Sequence, residues 1–143
     1  DSLWPTGQGH KYVVFTGGEP ALQLDEALIL EMKQHGYTIA IETNGTIALP
    51  QGIDWVCVSP KTAKPLVVSK GDELKLVFPQ SHLSPELFET LDFAHFYLQP
   101  MDQSHLTADQ IPLIDTQQAT LQYCLSHPRW RLSLQTHKML NID

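Results

Sequence analysis

Thr16-Gly17-Gly18-Glu19-Pro20 closes the apolar run Tyr12-Val13-Val14-Phe15 and is the sharpest chemical signal in the chain. Paired glycines let a backbone approach a ligand closely and turn its N–H groups toward it. A helix opening just behind them favours an anion such as a carboxylate at its N-terminus. Glu19 adds an acceptor for an ammonium group. A molecule bearing both an α-carboxylate and an α-amino group suits this pair. A tight strand-to-helix turn with Pro20 and an acidic first turn suits the same residues equally well.

Four more polar clusters close apolar runs: Glu42-Thr43-Asn44-Gly45, Ser59-Pro60-Lys61, Gln99-Pro100-Met101-Asp102 and Gln135-Thr136-His137-Lys138. Taken singly, each has a plain reading. Glu42 reads as a strand-end turn residue, His137 as a strand-end histidine donating to backbone, Lys61 as a solvated loop lysine, and Asp102 is a weaker candidate still. Trp4, Trp55 and Trp130 read as packing residues, and Asp72-Glu73 as a charged strand entrance. Cys57 lies in the apolar run Trp55-Val56-Cys57-Val58, where a buried thiol acts as a small hydrophobe. Cys124 falls in a helical pattern. Two cysteines in such unlike contexts predict neither a disulfide framework nor a metal knuckle, and a reducing cytoplasm is the default.

The elements that must position these clusters are legible from periodicity. Strands are predicted at 12–15, 38–41, 55–58, 73–78, 95–98 and 131–134, each a short apolar run. A helix is predicted from Leu22 to His35, with Gly36 as its C′ residue. Ser84-Pro85 reads as a helix start, with Ser as N-cap and Pro at the first helical position. Asp115 or Thr116 caps a helix through Leu125, and the stretch from Met101 to Asp115 reads as a loop. Strands alternating with helices predict an α/β fold with a parallel sheet. In such folds the carboxyl ends of the strands gather at one face, where ligands bind. Five clusters far apart in sequence are therefore expected to converge.

Composition narrows the function. The 143 residues are 42% hydrophobic and 17% charged, with a formal net charge of -7. A chain of this length reads as one domain, 1–143, and buries roughly 70% of its unfolded surface. The acidic balance and scattered basic residues argue against nucleic acid as a partner. No apolar run reaches the roughly 20 residues of a membrane span. The start, Asp1-Ser2-Leu3-Trp4-Pro5, is neither a signal peptide nor an initiator sequence, so the chain is expected to be partial.

Together the motifs carry a resemblance. Val14-Phe15-Thr16-Gly17-Gly18-Glu19-Pro20 resembles the segment of radical S-adenosylmethionine enzymes that contacts the cofactor's methionine moiety. With Ile41-Glu42-Thr43-Asn44-Gly45, Val58-Ser59-Pro60-Lys61, Leu98-Gln99-Pro100-Met101-Asp102 and the closing run from Trp130 through Asn141-Ile142, the chain resembles the C-terminal two-thirds of the 7-carboxy-7-deazaguanine synthases. The resemblance implies an incomplete (β/α) barrel lacking its first strand, a homodimer, S-adenosyl-L-methionine, a [4Fe–4S] cluster and Mg²⁺. It implies ring contraction of 6-carboxy-5,6,7,8-tetrahydropterin to 7-carboxy-7-deazaguanine with loss of ammonia, in queuosine and related 7-deazapurine biosynthesis. An electron donor such as a flavodoxin and a cytoplasmic location go with it.

Residue by residue, the resemblance puts Thr16, Glu42, His137 and the terminal Asp143 near the pterin. It puts Gly18, Glu19, Asn44, Ser59, Pro60, Lys61, Gln99, Pro100, Met101 and Asp102 around S-adenosylmethionine. The departure is at the cluster, which takes three thiolates in this family, whereas the sequence holds two cysteines that match none of those positions. Cluster and Mg²⁺ ligands are expected upstream of Asp1, and the chain alone is expected to be inactive. Two alternatives stay open: another radical enzyme of the activating type, and a cluster-free ligand-binding domain on the same barrel.

Overall fold

Alternation along the strands decides which way the sheet faces. In β2 (Tyr37–Thr43), Ile39 and Ile41 are fully buried, while Glu42 between Ile41 and Thr43 points to the other side. In β4 (Lys70–Phe78), Leu74 and Leu76 are fully buried while Glu73, Lys75 and Val77 take the opposite face. The computed structural model describes residues 9–103, 114–140 and 142. Its remaining strands are β1 (Lys11–Phe15), β3 (Trp55–Val58), β5 (Asp92–Pro100) and β6 (Trp130–Leu132).

The six strands form one sheet in the order β1-β2-β3-β4-β5-β6, every neighbouring pair parallel. Each strand thus adds to the edge left by its predecessor, which is barrel winding rather than the doubly wound kind. The register sets Glu42 beside Cys57, Cys57 beside Glu73 and Glu73 beside His95. That row lies on the face opposite the core.

The core sits on the helix side in two groups. Ile29 of α1 (Glu26–Gln34) and Leu24 pack on Ile39 and Ile41. Val58, Leu74, Leu76, Phe96, Leu98 and Trp130 form the larger group, against which Tyr123 and Cys124 of α2 (Thr116–Ser126) pack. Each large apolar side chain removed from water there stabilises the fold by roughly 1.5–3 kcal/mol.

The helix predicted from Leu22 begins later. Pro20–Leu22 forms a single 3₁₀ turn, and Asp25 caps α1, its carboxylate accepting from the Leu28 N–H at 2.8 Å. Gly36 stands past the helix end at φ +78°, as predicted for C′. The Ser84-Pro85 start yields only a 3₁₀ turn, Pro85–Leu87, and Ser84 makes no side-chain cap bond. Leu83, Pro85 and Phe88 are all buried, a spacing that no single helical stripe provides. Asp115 caps α2 through the N–H groups of Gln117 and Gln118. β6 ends at Leu132, and the tip predicted as Gln135-Thr136-His137-Lys138 winds into a short helix, α3 (Thr136–Met139). Most of the loop expected between Met101 and Asp115 lies outside the described residues, as do Trp4 and Asp143. Among the described residues no helix is long and apolar enough to cross a membrane.

Candidate functional site

A cleft of about 380 Å³ opens at the carboxyl ends of β2 to β6. Glu42, Ser59, Lys61, Gln99 and His137 line it, so four predicted strand tips share one cavity. Parallel pairing places these tips at one end of the sheet, and the period of two turns Glu42 and Gln99 away from the core. Lys75, Val77, Ser133, Leu134 and Gln135 complete the wall.

Lys75 is the residue that motif reading missed. Its ammonium donates to Glu42 Oε1 at 2.7 Å, reaching from β4 across β3 to β2. Burial works against the charged ammonium, but the hydrogen bond and the negative charge of Glu42 outweigh it, so Lys75 titrates above the ordinary lysine range. The signal was available: a lysine between Leu74 and Leu76 in the middle of a parallel strand has no reason to be there unless that face is polar.

Beneath the pair, the polar face is locked by its own contacts. Trp55 Nε1 donates to Glu73 at 2.9 Å, and the indole stacks on His95 with ring centroids 6.1 Å apart. Trp55 therefore faces the polar side, while Trp130 is buried in the core with its indole N–H on Glu89 at 2.8 Å. Asp72 accepts from the Val56 N–H at 2.8 Å, so Asp72-Glu73 anchors β3 from within β4 instead of forming only a charged entrance. Cys57 lies in this layer, and burial, opposed by the Lys75 charge and reinforced by Glu73 and Glu42, pushes its thiol up to about 12. It is a neutral, inert group.

At the β1 tip, Gly17 and Gly18 take φ of +81° and +57°, and nothing lies within 4 Å of where a Cβ would stand. This is an open backbone turn at which a ligand can approach the main chain. Glu19 binds the β1 tip to the β2 tip. Its Oε1 accepts from the Thr43 hydroxyl at 2.6 Å and the Ala21 N–H at 3.1 Å, and its Oε2 from the Asn44 N–H at 2.8 Å. A carboxylate has about four acceptor positions, so one remains on Oε2 for an outside donor. The Asn44 side-chain oxygen is taken by the N–H and hydroxyl of Thr46, at 2.9 and 2.6 Å, which leaves its NH₂ for a ligand.

The other predicted residues lie around the cleft instead of lining it. Pro60 is fully buried. Met101 lines a separate, more apolar depression of about 540 Å³ with Pro79, His82 and Ile114. Asp102 pairs with Lys138 and so ties the end of β5 to α3. Pro100 ends β5 opposite Phe78. Thr16 follows β1 directly, at the same end of the sheet as the cleft. Among the described residues no group of three His, Cys, Asp or Glu is placed to hold a metal ion. Cys57 and Cys124 belong to opposite faces of the sheet.

No family model matches the chain. Curated relatives do: a 7-carboxy-7-deazaguanine synthase of Bordetella pertussis is 58% identical over 141 residues, covering 99% of this chain and 64% of that protein. The enzyme of the same name from Caulobacter vibrioides is 52% identical over 142 residues, with the same 99% and 64% coverage. The chain thus spans about 64% of the length of these relatives. The crystal structure of QueE from Escherichia coli superposes with a TM-score of 0.64 at 26% identity, covering 87% of this chain and 56% of that one.

Proposed function

This chain is a homologue of the 7-carboxy-7-deazaguanine synthases with the α/β fold of a partial barrel, and from that premise we propose that it supplies the pterin-facing and cofactor-facing wall of such an enzyme. The whole protein then contracts the ring of 6-carboxy-5,6,7,8-tetrahydropterin to 7-carboxy-7-deazaguanine with loss of ammonia. The observation that carries the reading is the convergence of Glu42, Ser59, Lys61, Gln99 and His137 on one cleft.

S-adenosylmethionine suits the residues present. The open Gly17-Gly18 turn receives the methionine carboxylate, and the acceptor position left on Glu19 takes its ammonium. Ser59, Lys61 and Gln99 offer hydroxyl, ammonium and carboxamide groups to the nucleoside, with Asn44, Pro60, Pro100, Met101 and Asp102 framing it. Glu42 and His137 face the pterin from opposite walls, with Thr16 beside them at the β1 tip. We assign Asp143 to the same substrate. In the whole protein S-adenosylmethionine would supply the radical chemistry. The protein's own groups bind, orient and exclude water.

The cluster does not suit these residues. A [4Fe–4S] centre takes thiolates, and the two cysteines lie on opposite faces, one of them a buried neutral thiol. We assign the cluster and Mg²⁺ ligands to the part of the relatives' length that this chain does not span. Homodimerisation, a flavodoxin-type reductant and a cytoplasmic setting belong to the same reading of the whole protein.

The test is direct. Full-length protein reconstituted anaerobically with iron and sulfide, then given S-adenosylmethionine, dithionite and the pterin, is expected to release 7-carboxy-7-deazaguanine, identified by mass. Cluster-loaded protein that bound the cofactor and formed no such product would refute the reading.

A further inference from the structure

The Glu42–Lys75 pair is built as a unit. The two residues stand on β2 and β4, which are not neighbours, and the link crosses β3 above Cys57. The carboxylates nearest Lys75 are those of Glu42 and Glu73. Glu73 is already held by the Trp55 indole at 2.9 Å. The Lys75 side chain is only 19% exposed and its ammonium is committed to Glu42, whose side chain is 39% exposed and lines the cleft. A glutamate carboxylate at a cavity wall is free to rotate about three side-chain torsions unless a partner fixes one oxygen. Lys75 provides that partner from the floor, so that the other oxygen of the carboxylate is presented to the cavity in a fixed orientation.

We propose that Lys75 is a positioning residue: it fixes Glu42 as an oriented, charged acceptor for an N–H group of the ligand in the cleft. The proposal rests on the pterin-binding reading of that cleft. A heterocycle with adjacent ring N–H and amino donors is the chemistry such a fixed carboxylate recognises, through charge-assisted hydrogen bonds. Lys75 itself acts through Glu42 and touches no reacting atom.

A double-mutant cycle on the full-length, reconstituted enzyme tests this. Removing a partner from a part-buried charged pair by K75M is expected to lower kcat/KM for the pterin about 30-fold, and E42Q by at least as much. The K75M loss is expected mainly in KM, with the affinity for S-adenosylmethionine, measured separately by equilibrium binding, left unchanged. K75R retains the charge and is expected to restore activity to within about fivefold of wild type. Above all, K75M placed in the E42Q background is expected to cost nothing further. If the two losses multiply, or K75M alone is as active as wild type, Lys75 does not act through Glu42 and the proposal falls. Should K75M fail to accumulate as folded protein, K75R and K75Q in both backgrounds carry the same test. A wild-type enzyme that ignores the pterin sinks the functional reading instead, so the two failures are told apart.

Discussion

Leu74 and Leu76 leave β4 toward the helices and expose no surface, whereas Glu73 and Lys75 leave the same strand the other way and are held by hydrogen bonds. The helix side is apolar and close-packed, and what it contributes is free energy. The cleft side carries charges that sit in fixed pairs, and what it contributes is geometry. A change on the first face should therefore unfold the protein before it alters binding, and a change on the second should alter binding while leaving the fold intact.

The largest expected effect is on the packed face. Leu76→Ala removes a side chain with no exposed surface and is expected to cost about 3 kcal/mol in urea unfolding. A loss under about 1 kcal/mol would mean that this face tolerates voids and that the contrast is misdrawn.

Two glycines sharpen the comparison next, since both sit at positive φ and only one is packed. At Gly45, φ +78°, a Cβ would meet Val58 Cγ1 at 2.8 Å. At Gly17, φ +81°, it would meet nothing. Gly17→Ala should cost about 1 kcal/mol from backbone strain alone. Gly45→Ala should cost about 3 kcal/mol, because strain and overlap add. Equal losses in thermal unfolding would show that Val58 yields freely.

Asp54 gives a smaller, pH-dependent effect. Hydrogen bonds from Lys33 and from the Ile39 N–H, the latter at 2.7 Å, hold its carboxyl below the usual aspartate range. The sign follows from linkage: the folded value lies below the unfolded one, near 3.9. The stabilisation is present above the unfolded value and disappears as pH falls through the folded one. Asp54→Asn is expected to cost about 0.5–1 kcal/mol at neutral pH, kept small by exposure to solvent, and progressively less as pH falls through the lowered folded value. A loss that persisted at low pH would assign the effect to shape instead of charge.

These contrasts also explain what the sequence could disclose. The predicted strand at Trp55–Val58 matches β3 residue for residue, because a short apolar run bounded by polar residues leaves little choice. β4 and β5 extend further toward their amino ends than predicted, since Lys70 and Asp92 are polar yet still pair in the sheet. α1 starts at Glu26 and not Leu22 because Glu19 and Asp25 satisfy separate sets of N–H groups. Glu42, Ser59, Lys61, Gln99 and His137 were legible as strand tips, and topology did the rest. Lys75 was not, because it sits inside a strand and its role depends on a partner 33 residues away. Glu19 was legible as a candidate site residue, but its three hydrogen bonds to the adjoining turn and the β2 tip were not.

Equilibrium dialysis of the pterin against full-length, cluster-loaded protein measures what matters most, comparing wild type with Glu42→Gln and His137→Ala. Saturable binding by wild type, weakened about tenfold or more in each variant while urea stability stays within about 0.5 kcal/mol, is the predicted result. Undiminished binding by both variants would contradict it, and would move the ligand off the face where these strand ends meet.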